Sequence, residues 1–201
     1  MDTRELFLAQ HARSHAAAVA GGDPSNQDLV LSGMTEEQIR QRPHPSTNSL
    51  AWLLWHMTRA EDIGINLVIA ERPQVLDEDR WSERLGVPHR DLGAGMTDNE
   101  VEGFTERIDI PALLAYRAAT GKRTQEVIGG LRPEVLAEVI DADLVRRVRV
   151  QGAFGPDAEW VPRRWEGKPK AFTLMHTVLA HSYLHIGEGH VVRSLLGLPN
   201  L

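Results

Sequence analysis

The stretch SLAWLLWHMTRAEDIGINLVIAER, residues 49–72, decides the predicted fold. Polar residues at 46–49 can cap a helix and Pro73 ends it, so the stretch predicts one long helix. Its opening turns are apolar on almost every side, which is typical of a helix at the centre of a bundle or of one that also contacts a second subunit. We therefore expect a buried central helix and a homodimer.

A second long helix is predicted over about residues 170–196, because glycine and proline residues follow it. It contains the segment HSYLHIGEG, residues 181–189. Offsets of four and seven residues return a side chain to within about 40 and 20 degrees of its start, so His181, His185 and Glu188 share one face. The same face carries four apolar residues, Val178, Leu184, Val191 and Val192. We therefore expect this face to be buried in the bundle.

A buried histidine needs a hydrogen-bond partner or a metal ion, because an unpaired buried polar group costs roughly 1 to 3 kcal/mol. Histidines spaced by four on a helix are a common way to present two nitrogens to one cation. His56, on the apolar stripe of the central helix, is the best candidate for a third ligand. Core hydrogen bonds remain the alternative explanation, although three inward histidines on two helices favour a metal ion.

Other histidines and acidic residues are expected to lie away from this site. His11 and His15 also have a spacing of four, but their polar neighbours predict a position at the surface or at an edge. His176 lies about 140 degrees around an α-helix from the first histidine of the pair, so it should face elsewhere. Glu61 and Asp62 lie about 140 and 240 degrees from the central histidine, and we expect them to pair with arginines of neighbouring helices.

The rest of the chain predicts further helices and two connections. Helical segments are expected at residues 3–20, 34–41, 79–86, 111–130 and 133–140. Residues 73–104 lack sustained periodicity, and a connection of this length is uncommon unless it covers a binding site or is disordered. The tryptophan in this connection, Trp81, favours a segment that covers a binding site. Residues 144–165 begin with alternation and contain a Gly-Pro-Asp turn, which favours a small hairpin or an irregular excursion.

These elements predict an all-α protein. Four long helices with short helices between them are typical of a four-helix bundle, here with a loop excursion before the last helix. At 201 residues, we expect the chain to form a single domain, residues 1–201. The tryptophans in its connections, Trp81, Trp160 and Trp165, can shape a pocket or shield a metal, although ordinary packing is favoured for them.

The composition excludes several classes of protein. Hydrophobic residues make up 42% of the chain and charged residues 25%, values near the globular average. No segment has the roughly 18 consecutive apolar residues of a membrane span, and the N-terminal residues lack a signal-peptide core, so we expect a cytoplasmic protein with no membrane partner. The net charge of −6 gives no basic surface for nucleic acid. Because cysteine is absent, any thiol chemistry must use the sulfur of a small molecule.

The segments SLAWLLWHMTRAED and HSYLHIGEG, with WSERLG and GMT between them, resemble the DinB superfamily from about residue 30 to the C-terminus. The resemblance implies a four-helix bundle, often a homodimer, that holds a divalent metal such as zinc or nickel. It implies His56, His181 and His185 as the ligands. One departure is the segment GGDPSNQDL, residues 21–29, which we expect to be an extended loop that alters the mouth of the pocket.

Three neutral histidines leave a zinc-like ion with an open position, as in catalytic rather than structural sites. Such an ion can activate water for hydrolysis or hold a thiol as thiolate. The resemblance implies a thiol S-transferase or isomerase that uses mycothiol, bacillithiol or glutathione on a small-molecule substrate. Glu188 is the candidate catalytic residue, either as a proton acceptor or by orienting a ligand histidine, and it can also simply form a core hydrogen bond. The alternatives are a metal-activated hydrolase and a non-catalytic metal- or ligand-binding protein of stress response.

Overall fold

The computed structural model describes residues 2–199, which are mainly helical and contain no β-strand. The predicted all-α fold is therefore confirmed. The α-helices are α1 (Thr3–Arg13), α2 (Ala17–Ala20), α3 (Asn26–Leu31), α4 (Glu36–Arg40), α5 (Leu50–Asp62), α6 (Trp81–Arg84), α7 (Asp98–Arg107), α8 (Ile110–Gly130), α9 (Ala142–Val150), α10 (Trp160–Trp165), α11 (Lys170–Phe172) and α12 (His181–Leu195). Two short 3₁₀-helices lie at Val75–Asp77 and Pro133–Ala137.

Helix α5 is the centre of the bundle, as its sequence predicts. Ser49 caps it through a hydrogen bond from the Trp52 backbone N–H to the Ser49 hydroxyl, and every residue of the helix is buried. It packs against α8 on one side and against α12 on another, while α1 packs on α8. An all-round apolar helix is stable only when other helices cover every face, and the bundle supplies that cover.

Two π-helical segments extend the long helices next to each other. Ile63–Ile69 continues α5, and Thr173–Ala180 leads from α11 into α12. The two segments are in contact, and a Cβ placed on Gly64 would lie 3.1 Å from Cγ2 of Thr173. Glycine at position 64 therefore lets the two backbones approach closely. π-helical turns are often found at functional sites, and these two flank the histidines of α5 and α12.

The prediction of one N-terminal helix over residues 3–20 is wrong, because the helix is interrupted between α1 and α2. The Ser14 hydroxyl donates to the His11 carbonyl at the end of α1, and the Asp28 carboxylate accepts the backbone N–H of Ala17 at the start of α2. Residues 21–29 are not one extended loop either. Ser25 and Asp28 form a reciprocal capping box that starts α3.

The hairpin expected within residues 144–165 is also wrong. Helices α9 and α10 occupy most of this region. Leu144, Val145 and Val148 are the buried residues of α9, and their spacing is that of one helical face. The alternation of VRVQG spans too few residues to distinguish a strand from an amphipathic helix.

The connection of residues 73–104 contains short helices and ends inside α7. Trp81 is buried in the core, where its ring lies 5.7 Å from that of Tyr116. It does not cover the cleft described below. Within the described residues, no helix is both long enough and apolar enough to cross a membrane.

Candidate metal centre

Three histidines from two helices converge at one point. His56 comes from α5, and His181 and His185 come from α12. The Nε2 atom of His181 lies 3.0 Å from Nε2 of His56 and 3.1 Å from Nε2 of His185. All three residues offer a nitrogen within 4.8 Å of the others, a spacing that could hold a metal ion. The structure thus brings together the three histidines that the sequence singles out.

Hydrogen bonds on the outer ring nitrogens determine which nitrogens face the centre. His56 donates its Nδ1 hydrogen to the carbonyl of Leu92, which can only accept. His185 donates its Nδ1 hydrogen to Oε2 of Glu188 at 2.9 Å. Because each neutral imidazole carries one hydrogen, the Nε2 atoms of His56 and His185 present lone pairs to the centre.

His181 cannot satisfy both of these lone pairs. A single Nε2 hydrogen on His181 can be donated to only one neighbour, and its Nδ1 atom is buried with no partner among residues 2–199. Burial and the neighbouring histidines lower the pKa of His181 to about 2, and chiefly burial lowers that of His56 to about 4. Both rings are therefore neutral at neutral pH. A divalent cation would satisfy all three nitrogens, so the donor set fits a metal.

Glu188 contacts the outer nitrogen of His185 rather than the centre. Its other carboxylate oxygen accepts a hydrogen bond from Asn48 Nδ2 at 3.3 Å. The hydrogen bond from His185 lowers the pKa of Glu188 despite its partial burial, so the carboxylate is ionised. The carboxylate in this position holds the His185 ring in one tautomer and one orientation.

The Leu92 carbonyl is a functional group that the sequence interpretation missed. Leu92 lies in the connection before α7, next to Gly93, which adopts a φ of +77° and donates its N–H to Asp91 Oδ1. The Trp52 ring also stacks on His56, with 4.5 Å between the ring centroids. Every residue has a backbone carbonyl, so the residue type does not reveal which carbonyl accepts a hydrogen bond. Only Gly93 could have indicated a turn here.

An open cleft of about 720 Å³ lies beside the three histidines. Both connections contribute to it, as expected for residues 73–104. Its apolar walls include Trp52, Met96, Trp160, Trp165 and Phe172. Trp160 and Trp165 therefore line the cleft, whereas the sequence favours ordinary packing for both.

The histidine face of α12 is only partly buried, which corrects the expectation of a buried apolar stripe. Leu184, Val191 and Leu195 are 68%, 56% and 57% exposed. Of the four apolar residues expected there, Val178 and Val192 are buried, and the buried residues of α12 also include Ser182 and Gly189. A Cβ at Gly189 would lie 3.0 Å from Leu50, so this glycine permits close packing on that side.

His176 lines the same cleft, although it is expected to face elsewhere. The expectation assumed an α-helix, but His176 lies in the π-helical segment that precedes α12. Because π-helices bond residue i to residue i+5 and turn less per residue than α-helices, residues five apart lie closer to the same side of the helix. His176 and His181 are therefore on one side of the helix.

A second histidine cluster corrects the prediction for His11 and His15. Both residues are fully buried, and their Nε2 atoms lie 2.7 Å from the two carboxylate oxygens of Glu61. Thr124 donates its hydroxyl to the same carboxylate at 2.5 Å. Glu61 thus pairs with histidines rather than with an arginine. The sequence also predicts that Asp62 pairs with an arginine of a neighbouring helix, but it forms an ion pair with Arg59 of its own helix.

The second cluster also meets the proximity requirement for a metal, but its hydrogen bonding argues against one. A distance of 2.7 Å is that of a direct N–H to carboxylate hydrogen bond. Neither His11 nor His15 has a partner for Nδ1 within the described chain, whereas two of the three rings of the first cluster donate their outer N–H, as metal-bound histidines usually do. With Nε2 protonated, Nδ1 carries only a lone pair. The cluster is therefore a buried hydrogen-bonded group.

The charges of the second cluster support this assignment. Burial alone would raise the pKa of Glu61, but His15 and His11 hold it well below its ordinary value. Burial lowers the pKa of His15 to about 4, although Glu61 opposes the change. The result is an ionised carboxylate that accepts a hydrogen from the neutral imidazole of His15.

Comparisons with known proteins agree with the fold. The family model described as the DinB superfamily matches residues 24–188. A crystal structure of a conserved protein from Enterococcus faecalis is similar, with a TM-score of 0.71 and 20% sequence identity over 98% of this chain and 99% of that chain. At this identity the likeness shows the fold alone. No curated protein matches the chain.

Proposed function

This chain belongs to the DinB superfamily, and we propose that it holds one divalent cation between His56, His181 and His185. The observation that carries the proposal is the convergence of three Nε2 atoms at 3.0 and 3.1 Å, two of which present lone pairs. Without a cation, the single Nε2 hydrogen of His181 would leave at least one of the other two lone pairs without a partner in a partly buried site. Imidazole ligands suit zinc and nickel, and these are the ions we propose.

The proposed activity is the transfer of a low-molecular-weight thiol to a small electrophile. Three protein ligands leave an open position, and a bound cation would supply Lewis acidity there, lowering the pKa of a thiol or water. The adjacent cleft offers room for a small-molecule substrate. The chain has no cysteine of its own, so the thiol, of the mycothiol, bacillithiol or glutathione class, would be a second substrate.

The protein's own residues would orient and shield this chemistry. Leu92 and Glu188 hold the hydrogens of His56 and His185 on the outer nitrogens. We assign Glu188 this positioning role, since its carboxylate touches His185 and not the centre. The aromatic walls of the cleft would exclude water from a bound substrate.

The exposed apolar residues of α12 favour a homodimer. Leu184, Val191 and Leu195 lie at intervals of seven and four residues, which places them along one side of the helix. Burying such a row against a second copy would remove apolar surface from water. We also propose that the chain folds as one domain and works in the cytoplasm.

Elemental analysis of protein purified without a histidine tag tests the metal site. We expect about one divalent ion per wild-type chain, and a loss of most of it in His56→Ala, His181→Ala and His185→Ala. His176→Ala is the matched control, because this histidine lines the same cleft but lies outside the cluster. Full metal content in all three cluster variants would contradict the proposal.

A thiol screen tests the activity. Each thiol is mixed with 1-chloro-2,4-dinitrobenzene, so that a C–S bond forms, the C–Cl bond breaks, chloride leaves and the thiol proton goes to solvent. We expect turnover with one thiol class in the metal-loaded protein and none in His181→Ala. No turnover with any thiol would favour the non-catalytic binding protein, and ester hydrolysis without thiol would favour the hydrolase.

A further inference from the structure

The cleft beside the histidines contains one permanently charged side chain. Among the described residues that line it, none is Asp, Glu or Lys, and Arg164 of α10 is the only arginine. The chain as a whole carries a net charge of −6. A cleft wall with a positive group and no negative one is therefore unlike the rest of the surface, and it would attract an anion.

Arg164 has no carboxylate partner among residues 2–199. Its Nη2 donates to His176 Nε2 at 3.3 Å, and its guanidinium lies 5.9 Å from the centre of the Trp160 ring. By contrast, the exposed Arg149 forms an ion pair with Glu159 at the start of α10. The bond to His176 uses one donor of the guanidinium and leaves the others for a ligand.

His176 is itself held in place within the cleft. Its ring stacks on Phe172, with 4.9 Å between the centroids and 16° between the planes. The π-helical segment places His176 on the same side of the helix as His181. Arg164 is thus held at a position determined by the same helix that carries two of the clustered histidines.

The neighbouring surface is apolar and exposed. Trp160 is 51% exposed, and Leu184 lies across the same cleft with most of its side chain in solvent. Trp165 and Phe172 complete an aromatic wall. Ligand pockets are typically lined by apolar and aromatic side chains with a few polar groups that orient the ligand, and this cleft has that composition.

We propose that the electrophilic substrate is a small organic carboxylate with a flat apolar body. Its carboxylate pairs with Arg164, its body lies against the aromatic wall, and its reactive end faces the histidine cluster; this last part rests on the proposed function. A single planar guanidinium matches a carboxylate in a bidentate geometry. The apolar walls assign this anion to the electrophile rather than to the thiol, since low-molecular-weight thiols are polar.

Isothermal titration with two matched probes tests the proposal. The probes are 2-naphthoate and its neutral analogue 2-naphthalenemethanol, and the proteins are the wild type, Arg164→Gln, His181→Ala and the control Arg163→Gln. Arg163 lies on the same helix and is exposed but does not line the cleft. We expect the wild type to bind naphthoate about tenfold more tightly than the alcohol, a preference that Arg164→Gln loses and Arg163→Gln keeps.

The other outcomes are distinct. Equal affinity for the two probes in the wild type, no binding of either, or the same loss in Arg163→Gln would each overturn the proposal. A preference that persists in Arg164→Gln but disappears in His181→Ala would place the carboxylate on the metal instead. If the preference for naphthoate over the alcohol depends on Arg164 but the protein binds no metal, the anion site is supported and the proposed function is wrong.

A second arm separates the electrophile from the thiol. Glutathione and its diethyl ester are titrated into the wild type and Arg164→Gln. We expect Arg164→Gln to bind both forms as the wild type does. If the substitution weakened glutathione alone and left naphthoate unchanged, the anion site would belong to the thiol and the proposal would be wrong.

Discussion

His181 and His185 have the same spacing as His11 and His15, and both pairs face a third group from α5. In the first cluster, two of the three rings donate their outer hydrogens to groups behind them, Leu92 and Glu188. In the second cluster, both rings direct Nε2 at the Glu61 carboxylate, and their outer nitrogens have no partner within the described chain. The acceptor behind the ring, rather than the spacing, therefore separates the arrangement proposed to bind a metal from the hydrogen-bonded one.

The two clusters also differ in their exposure to solvent, and this difference again favours a metal at the first cluster. The first cluster opens into a cleft, whereas His11, His15 and Glu61 have no exposed surface. A catalytic ion needs an open position and a route for substrate, which only the first cluster provides. A buried carboxylate needs donors on all sides, which the second cluster provides.

Metal removal should have the largest effect. At a metal concentration about a thousandfold above Kd, binding stabilises the folded state by about 4 kcal/mol, so a chelator should lower the Tm of the wild type by roughly 10 °C. Calorimetry should show no such change in His181→Ala, which lacks the site. Glu61→Gln should keep the full change. A chelator response that disappears in Glu61→Gln would move the metal to the second cluster.

Removing the carboxylate of the second cluster should come next. Glu61→Ala leaves the His11 and His15 N–H groups without an acceptor and removes the anion that faces buried Arg117. We expect unfolding free energy to fall by about 3 kcal/mol, measured by urea denaturation. Glu61→Gln keeps an oxygen acceptor and should lose less. Metal content should not change in either variant, and a loss of metal would contradict the assignment.

Lowering the pH should reduce the free energy of unfolding through the second cluster. The pKa of His15 is about 4 in the folded state and about 6.5, the ordinary value of histidine, in the unfolded chain, which therefore binds more protons between these values. Stability is therefore lost as pH falls below about 6.5, by about 2 kcal/mol between pH 7 and pH 5. Denaturation of the metal-free protein at several pH values would measure it. His15→Gln should show a shallower slope, and an unchanged slope would argue against a neutral His15.

The smallest effect is expected at Glu188. Glu188→Gln keeps the shape but weakens the hold on the His185 hydrogen, so metal affinity should fall by about tenfold, or about 1.4 kcal/mol. Competition with a chromophoric chelator would measure the affinity. Glu37→Gln, an exposed substitution on α4, is the control and should bind metal as the wild type does. Unchanged affinity in Glu188→Gln would remove its positioning role.

Much of the fold could be predicted from local signals. Pro111 in the first turn and the Asp109 cap agree with the helix expected over residues 111–130, observed as Ile110–Gly130. The Thr35 and Gln38 capping box likewise starts α4. Caps and prolines act within a few residues, so sequence records them directly. The π-helical turns have no comparable signal, which is why His176 was placed on the wrong side.

Helical period and capping are local properties, so residue order alone predicts the helical class, the central position of α5 and the three histidines on two helices. Tertiary structure alone decided that His11 and His15 are buried against Glu61, that the Leu92 carbonyl orients His56, and that α12 turns part of its apolar side to solvent. Spacing along a helix fixes the angle between side chains but not the direction in which that face points. Packing determines this direction, for example where the absence of a side chain at Gly189 lets Leu50 pack closely against the helix.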